Sequence, residues 1–247
     1  MSFAVRCAGA SVAVLWTSCL SAFALPAPVL TDPFDNAITA YERGDYAAAA
    51  ALFAPFAESG NAQAQMNLGD LYYNGEGVPQ NYEEALKWYR KAADAGLPRA
   101  ELRVGLMYSE GRSVQQDHSE AVKWYRLAAE EGLPDAEYDL ALAYDFGEGL
   151  PQNYAEAVRW YQFAAEEGLG LAQNNLGTMY EYGQGVARDL GQAYKWYSIA
   201  AAHFEASEHE ERERSLKNRA NIANKLSAQQ IAEAQDLAAK WKPNSSW

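Results

Sequence analysis

Apolar and small residues recur along this chain at two nested periods. In the stretch that begins at residue 61, Ala64, Leu68 and Tyr72 fall at helical spacing and form one apolar stripe, which predicts an amphipathic helix. Gly69 lies within the stripe and is small enough for a second helix to approach closely. The whole arrangement returns every 36 residues, four times between residues 61 and 204. Such a fixed period is typical of proteins that stack helix-turn-helix units.

Columns of one residue type keep the same spacing of 36 residues. Glycine columns mark breaks between helices, and alanine and aromatic columns mark the helices themselves. The columns are Gly60, Gly96, Gly132 and Gly168; Tyr72, Tyr108, Tyr144 and Tyr180; Gly75, Gly111, Gly147 and Gly183; Ala85, Ala121, Ala157 and Ala193; and Trp88, Trp124, Trp160 and Trp196, each followed by a tyrosine. The sequence therefore predicts an all-α solenoid of four units, residues 61–96, 97–132, 133–168 and 169–204.

The second helix of each unit carries signals at both ends. In the first unit, Asn81 precedes the helix and Glu84 follows three residues later, which predicts a capping box with two reciprocal side chain–backbone hydrogen bonds. Gly96 is placed to end the helix in a left-handed conformation. The box also begins at Asp117, Asn153 and Asp189. In the second unit Ser113 replaces a loop glycine, so we expect the backbone of that loop to differ.

Both ends of the array depart from the repeat pattern. Residues 34–60 are predicted to form a shortened, degenerate helical hairpin. Residues 205–242 are predicted to form capping helices, first a charged, solvated helix and then an amphipathic one opened by a capping box of Ser227 and Gln230. Residues 243–247 are expected to fray.

The N-terminal residues are typical of a secretory signal. Arg6 is followed by a short, mostly apolar run to residue 20, and a Ser-Ala-Phe-Ala sequence ends at Ala24. Residues 1–24 are therefore predicted to be a cleaved signal peptide, and residues 25–33 a linker. An uncleaved anchor is the alternative, but the run is short and rich in Ala and Ser for a membrane span. We expect a periplasmic or secreted protein.

Cysteine usage and net charge narrow the possible partners. Cys7 and Cys19 both lie within the predicted signal, so the mature chain would hold no disulfide and no thiolate nucleophile. The chain carries 20 Lys+Arg against 33 Asp+Glu, which argues against nucleic acid and anionic membranes as partners. We expect a monomer that binds no nucleic acid and has no stable membrane insertion after signal cleavage.

Residue patterns that could support catalysis are sparse. The three histidines, His118, His203 and His209, have no neighbours at metal-ligand spacing. Nucleophile-elbow, Ser-x-x-Lys and phosphate-loop motifs are absent from the sequence. The many carboxylates repeat on helix surfaces, where helix capping and solubility explain them better than an acid–base pair. We therefore expect no enzyme activity, no metal and no cofactor.

The unit resembles the Sel1-like repeat, the 36-residue relative of the tetratricopeptide repeat. The first unit carries its pattern at Ala64, Leu68, Gly69, Tyr72, Gly75, Gly77, Val78, Asn81, Ala85, Trp88, Tyr89, Ala92, Ala93 and Gly96. The resemblance covers residues 61–204, with departures at Ser113, Ala141 and Phe204. It implies an α/α superhelix whose concave face is lined by the first helix of each unit, in a family of adaptors and scaffolds.

Similarity to tetratricopeptide repeats also implies which positions line a concave groove. These positions vary between units while the packing columns do not, which suits recognition of a protein or extended peptide ligand. The main candidates are Met66, Asn67, Asp70, Asn74, Arg103, Leu106, Glu110, Tyr138, Asp139, Phe146, Asn174, Asn175 and Tyr182. The same columns also contain Tyr73, Leu102, Ser109, Leu142, Asp145, Thr178 and Glu181.

Two other surfaces invite a functional interpretation. The Trp-Tyr pairs could stack on sugars, but their invariance between units indicates helix packing. A basic row precedes the tryptophans and could contact an anionic partner, although glutamates near it are placed to neutralise it; the row is Lys87, Lys123, Arg159 and Lys195.

Three functions from different classes therefore stay open. The favoured one is a non-enzymatic scaffold, adaptor or regulator that binds an envelope partner through the concave face. The alternatives are a cell-envelope enzyme acting on peptidoglycan or β-lactam-type substrates, and a binder of muropeptides or glycans. Some cysteine-rich members of the repeat family are linked to β-lactam hydrolysis, but the mature chain has no cysteine to match them.

Overall fold

The computed structural model describes residues 33–204 and 207–244, which form twelve helices and no strand. The predicted signal peptide, residues 1–24, and most of the predicted linker lie outside the described residues. The helices are α1 (Pro33–Glu42), α2 (Tyr46–Glu58), α3 (Ala62–Asn74), α4 (Tyr82–Asp94), α5 (Pro98–Glu110), α6 (His118–Glu130), α7 (Pro134–Phe146), α8 (Tyr154–Glu166), α9 (Gly170–Tyr182), α10 (Leu190–His203), α11 (His209–Ala223) and α12 (Ala228–Lys240).

From α1 to α11, helices that follow one another in the chain pack against one another in space. Each odd-numbered helix from α3 to α9 forms a hairpin with the helix after it, and that second helix packs on the first helix of the next unit. The hairpin α1–α2 precedes these four units. The predicted all-α repeat solenoid is confirmed. Its contacts are between neighbours, as expected for a one-dimensional array.

Helix α4 forms one of the two hydrogen bonds of the predicted capping box and lacks the other. The Asn81 side chain accepts from the backbone N–H groups of Glu83 and Glu84, as predicted. The reciprocal half of the box is wrong, because the Asn81 backbone N–H already donates to the Tyr72 carbonyl. The Glu84 carboxylate is free to pair with Lys87 at 3.1 Å.

The same hydrogen bond to a tyrosine carbonyl recurs in the other three units. The backbone N–H groups of Asp117, Asn153 and Asp189 donate to the carbonyls of Tyr108, Tyr144 and Tyr180. Lys123–Glu120 and Arg159–Glu156 pairs repeat the Lys87–Glu84 contact. The predicted neutralisation of the basic row by glutamates is thus confirmed at these three positions.

The loop between the two helices of a unit touches the preceding unit. Gly77 has a φ of +71°, and a Cβ there would overlap the backbone at the start of α2. Ser113, the equivalent residue of the second unit, keeps the same left-handed conformation with φ 58°. The expectation that this loop would differ in shape is wrong. The Ser113 hydroxyl donates to the Tyr82 carbonyl at 3.2 Å, which gives the polar side chain a partner at the start of α4.

The aromatic columns form the core, as the sequence predicts. Trp88, Trp160 and Trp196 are at most 8% exposed, whereas Trp124 is half-buried. In the first, second and fourth units, the tyrosine that follows the tryptophan packs against the glycine of the first helix. A Cβ on Gly69, for example, would come within 2.6 Å of the Tyr89 ring. The aromatic pairs are therefore packing residues.

The C-terminal helices extend the array. α11 packs on α10 and contacts α9, and α12 packs on α10. Ser227 and Gln230 form both halves of the predicted capping box. The charged helix α11 begins at His209, four residues later than its predicted segment. Of the predicted frayed tail, residues 245–247 lie outside the described residues, and Asn244 donates its backbone N–H to the Glu166 carbonyl at 2.8 Å.

Candidate functional site

The predicted groove positions lie on the first helices α3, α5, α7 and α9, and the surface formed by these positions is here called the first-helix face. Between α3 and α5, Tyr73 donates to Glu110, and Asp70 pairs with Arg103 at 3.4 Å. The predicted positions differ in exposure. Asn74, Glu110, Phe146 and Tyr182 are exposed, and Asn67, Asp70, Arg103, Leu106, Tyr138, Asp139 and Asn175 are half-buried.

Two predicted groove residues are buried by neighbouring parts of the fold. Met66 is 5% exposed and packs in the core with Tyr89. Asn174 is 8% exposed, and its side-chain oxygen accepts from the Ser215 hydroxyl and the Asn218 amide of α11. Because α11 lies against α9, Asn174 serves helix packing. These two residues are removed from the candidate ligand-binding surface.

Each core tyrosine places its hydroxyl at the first-helix face, where it meets a polar side chain. In the first unit, Tyr89 donates to the Asp70 carboxylate at 2.7 Å, and Arg103 pairs with the same carboxylate. Burial raises the pKa of Asp70, while the Tyr89 hydrogen bond and Arg103 oppose the shift. The protein thus supplies this carboxylate with both a donor and a cation.

The third and fourth units repeat this arrangement with other partners. Tyr161 donates to Asp145 at 3.1 Å and accepts from the Asn175 amide at 3.2 Å. Tyr197 donates to Glu181 at 2.9 Å, and the Lys225 ammonium lies 3.8 Å from the same carboxylate. Burial raises the pKa values of both tyrosines. The neighbouring carboxylates raise them further, because ionisation would place two negative charges together.

The second unit differs from the others. Tyr125 donates to the Ser109 hydroxyl at 3.0 Å instead of a carboxylate. The nearby Asp139 carboxylate forms no hydrogen bond or ion pair within residues 33–204 and 207–244. Burial, with a smaller contribution from Asp135, raises the pKa of Asp139 to about 7. A cavity of about 300 Å³ lies here, between the second and third units.

Residues outside the predicted columns complete this surface. Besides the groove positions Leu106, Ser109, Asp139 and Leu142, the cavity is lined by His118, Ala121, Val122 and Tyr125 of α6, by Ala143 of α7, and by Glu148 of the following loop. Sequence reasoning missed this contribution of α6 because it assigned the tyrosine column to packing alone. The signal that could have revealed it is the use of tyrosine, not phenylalanine, in all four units.

Across residues 33–204 and 207–244, no group of three or more His, Asp, Glu or Cys side chains is placed to hold a metal ion. No helix within the same residues has the length and apolar character that a membrane span requires.

Comparisons with known proteins agree with the repeat architecture. The family model "Sel1 repeat" matches residues 62–97, 98–133, 134–169 and 170–203. A Sel1 repeat protein from Oxalobacter formigenes is 30% identical with a TM-score of 0.67, over 85% of this chain and 100% of that chain.

Two further solved structures are more distant. A protective antigen with an SLR fold from uropathogenic Escherichia coli is 24% identical with a TM-score of 0.44, over 85% of this chain and 60% of that one. An immunity protein from Pseudomonas aeruginosa is 18% identical with a TM-score of 0.48, over 76% and 82% of the two chains. No curated protein sequence matches the chain. Because the four family-model matches cover more than half of the 247 residues, the chain belongs to the Sel1 repeat family.

Proposed function

We propose that this protein is a non-catalytic adaptor of the bacterial envelope, which holds an extended segment of a partner protein along the first-helix face. Sel1 repeat proteins generally mediate protein–protein interactions. The proposal assigns that role to a concave groove formed by the first helices, in a periplasmic or secreted protein released by signal cleavage after Ala24.

One observation carries this proposal: the first-helix face varies in chemistry while the scaffold beneath it is constant. One column of the face holds Asn67, Arg103, Asp139 and Asn175 in successive units. The tyrosine column of the second helices stays constant at Tyr89, Tyr125, Tyr161 and Tyr197. A fixed backbone with variable polar side chains suits recognition of an extended chain, in which amide and charged groups meet backbone and side chains in turn.

Exposed aromatic residues add an apolar component to the same face. Phe146 and Tyr182 occupy equivalent positions in the third and fourth units, and each is 66% exposed. Exposed aromatic side chains are common anchors for protein ligands. A glycan platform on the tryptophan columns is less favoured, because the Trp88, Trp160 and Trp196 rings are buried.

Carboxylates on this face are better explained by structure than by catalysis. Asp70 and Glu181 are each held by a tyrosine hydroxyl and a basic side chain. The oxygens of a carboxylate held in this way are engaged by the protein's own groups, whereas an acid–base catalyst needs access to the substrate proton. We therefore assign these groups to orientation of the face.

The proposal is tested by capturing partners with the mature protein from a periplasmic extract. The variant Asn67→Ala, Arg103→Ala, Asn175→Ala should lose the captured proteins, as measured by quantitative mass spectrometry. The matched control is Lys87→Ala, Lys123→Ala, Arg159→Ala on the second helices, where exposed pairs contribute little to stability.

Circular dichroism melts establish that both variants are folded at the temperature of capture. The same proteins recovered by the wild type and by the first-helix variant would reject the groove. Recovery of the endogenous protein from the cytoplasm, with its first 24 residues intact, would reject the proposed location.

A further inference from the structure

We propose that the cavity between the second and third units is an anchoring pocket for one basic side chain, an ammonium or guanidinium group on an aliphatic stem. The role of this pocket as the anchor of a bound segment rests on the proposed function of the first-helix face. The pocket itself makes a claim about ligand chemistry that can be tested without any partner protein.

The cavity has the shape and lining that such a side chain requires. Leu106 and Leu142 belong to the first-helix face, and with Val122 they supply apolar walls for the stem. Asp139 and Glu148 supply carboxylates. The volume of about 300 Å³ lies at the lower end of the range of roughly 300–1,000 Å³ for small-ligand sites, so the cavity suits a single side chain.

Comparison with the preceding unit interface explains why a cavity forms at this level. Ser109, His118 and Ala143 stand 36 residues after Tyr73, Tyr82 and Met107. At the first interface the Tyr73 and Tyr82 rings pack edge to face with centroids 5.2 Å apart. Smaller side chains at the second interface leave that volume open. At the third interface, Tyr154 and Met179 restore the two larger residues.

The charges at the two interfaces are reversed as well. Asp139 and Glu148 stand 36 residues after Arg103 and Arg112. At the first interface the protein's own guanidinium groups occupy this region: Arg103 pairs with Asp70, and Arg112 donates to the Tyr82 hydroxyl at 3.0 Å.

At the second interface, no Lys or Arg is among the described residues that line the cavity. Both carboxylates and the Glu110 carboxylate raise the pKa of Tyr125 after the larger effect of burial, so their negative field reaches its hydroxyl. Asp139 is without a hydrogen-bond or ion-pair partner in the described part of the chain. A cation entering from the first-helix face would supply the charge that Arg103 supplies one unit earlier, at hydrogen-bonding distance from a desolvated carboxylate.

The test uses amino-acid derivatives as probes: N-acetyl-lysine methylamide, N-acetyl-arginine methylamide and, as the neutral control, N-acetyl-norleucine methylamide. Backbone amide NMR shifts of the mature wild-type protein should respond to the two basic probes at Ser109, Tyr125, Asp139 and Leu142. The norleucine probe should bind at least about tenfold more weakly, because it cannot form the charge-assisted hydrogen bond.

Two variants separate the charge of the pocket from its volume. Asp139→Asn with Glu148→Gln removes the charge and should abolish the preference for basic probes. Ala143→Met fills the cavity with the residue found at 107 and 179, and should abolish the shifts while both carboxylates stay. The control Glu130→Gln changes an exposed carboxylate at the far end of α6 that does not line the cavity, and should leave the shifts intact.

Each outcome decides between the two proposals. Three outcomes would overturn the pocket. The norleucine and lysine probes bind equally well, the basic probes cause no shifts at the highest concentration used, or the shifts are unchanged in both pocket variants. Probe binding that depends on the carboxylates, together with partner capture that is insensitive to the groove variant, would overturn the groove and leave the pocket. Partner capture that needs the groove but tolerates Asp139→Asn with Glu148→Gln would reject the anchoring role.

Discussion

At the residue scale, one buried column of equivalent positions holds glutamine in two units and glutamate in the other two. Gln65 and Gln173 lie near the start of a first helix, and each donates its amide to the carbonyl eight residues earlier, at 2.9 and 3.0 Å. Glu101 and Glu137 occupy the same column and are buried, and one oxygen of each has no hydrogen-bond partner within the described chain. A carboxylate cannot donate, so these glutamates can replace glutamine only when protonated.

We predict that Glu137→Gln makes the protein more stable at neutral pH and less sensitive to pH. Burial, followed by the charge of Glu167, raises the pKa of Glu137 from 4.5 to about 7. The folded state therefore binds the extra proton between these values, and stability falls as pH rises through this window. The variant should gain about 1–3 kcal/mol above pH 7 and little near pH 4.5, as measured by denaturation across pH.

The exposed Glu83→Gln is the control for loss of one negative charge. Asp139 titrates in the same pH window, so the test compares the wild type with the variant at each pH. Parallel stability profiles for wild type and Glu137→Gln would show that the glutamate is not buried as a proton-binding group.

At the element scale, the loops between helices set how closely successive units approach. Gly149 has a φ of +76°, and a Cβ there would overlap the backbone of His118 at the start of α6. Gly132 has a φ of +80°, but no atom lies within 4 Å of its Cβ position. One glycine thus meets a conformational and a packing requirement, and the other meets the conformational requirement alone.

We predict that Gly149→Ala destabilises the protein by more than about 3 kcal/mol, whereas Gly132→Ala costs about 1–2 kcal/mol. Both variants place a Cβ in the left-handed region, so their difference measures the contact between the loop and the preceding unit. Urea denaturation gives the two free energies of unfolding. Equal losses would mean that the units do not pack through this loop.

Particular elements show how far the sequence predicts this structure. The helices follow from the repeat, because the same apolar spacing and glycine positions recur in every unit. The backbone at Ser113 could not be predicted, since a favourable contact with Tyr82 holds a serine in a conformation that favours glycine. The burial of Asn174 could not be predicted either, because it depends on where α11 docks, and α11 lacks the repeat pattern.

The sequence predicts which positions form the candidate site, but it does not predict the cavity within that site. The groove positions share a face because the first helices stack, which the 36-residue period implies. The cavity arises from volume differences at Ser109, His118 and Ala143, which lie on three different elements. No spacing along the chain reveals that these differences coincide in space. The tyrosine hydroxyls at the site were likewise hidden within a column that periodicity assigns to the core.

At the scale of the whole molecule, each helix is stabilised by the helices next to it. The helices at the ends of the array have an apolar face that further residues must bury. The C-terminal cover is α12 with the residue that follows it: the Trp241 ring lies 6.2 Å from Trp196 and 4.8 Å from His203, between ring centroids. Contacts in a solenoid are local, so weakening one end loosens the adjoining units first and leaves distant units protected.

We predict that Trp241→Ala increases amide hydrogen exchange in α9 to α12 while α3 to α6 keep their protection. The loss of free energy should be smaller than the roughly 3–5 kcal/mol typical of a fully buried aromatic residue, because Trp241 is half-buried. Leu237→Ala, at an exposed position of α12, is the control and should change exchange little. Hydrogen exchange followed by mass spectrometry resolves these helices. An equal loss of protection along the whole array would mean that the solenoid unfolds as one cooperative unit, and that α12 stabilises all of it.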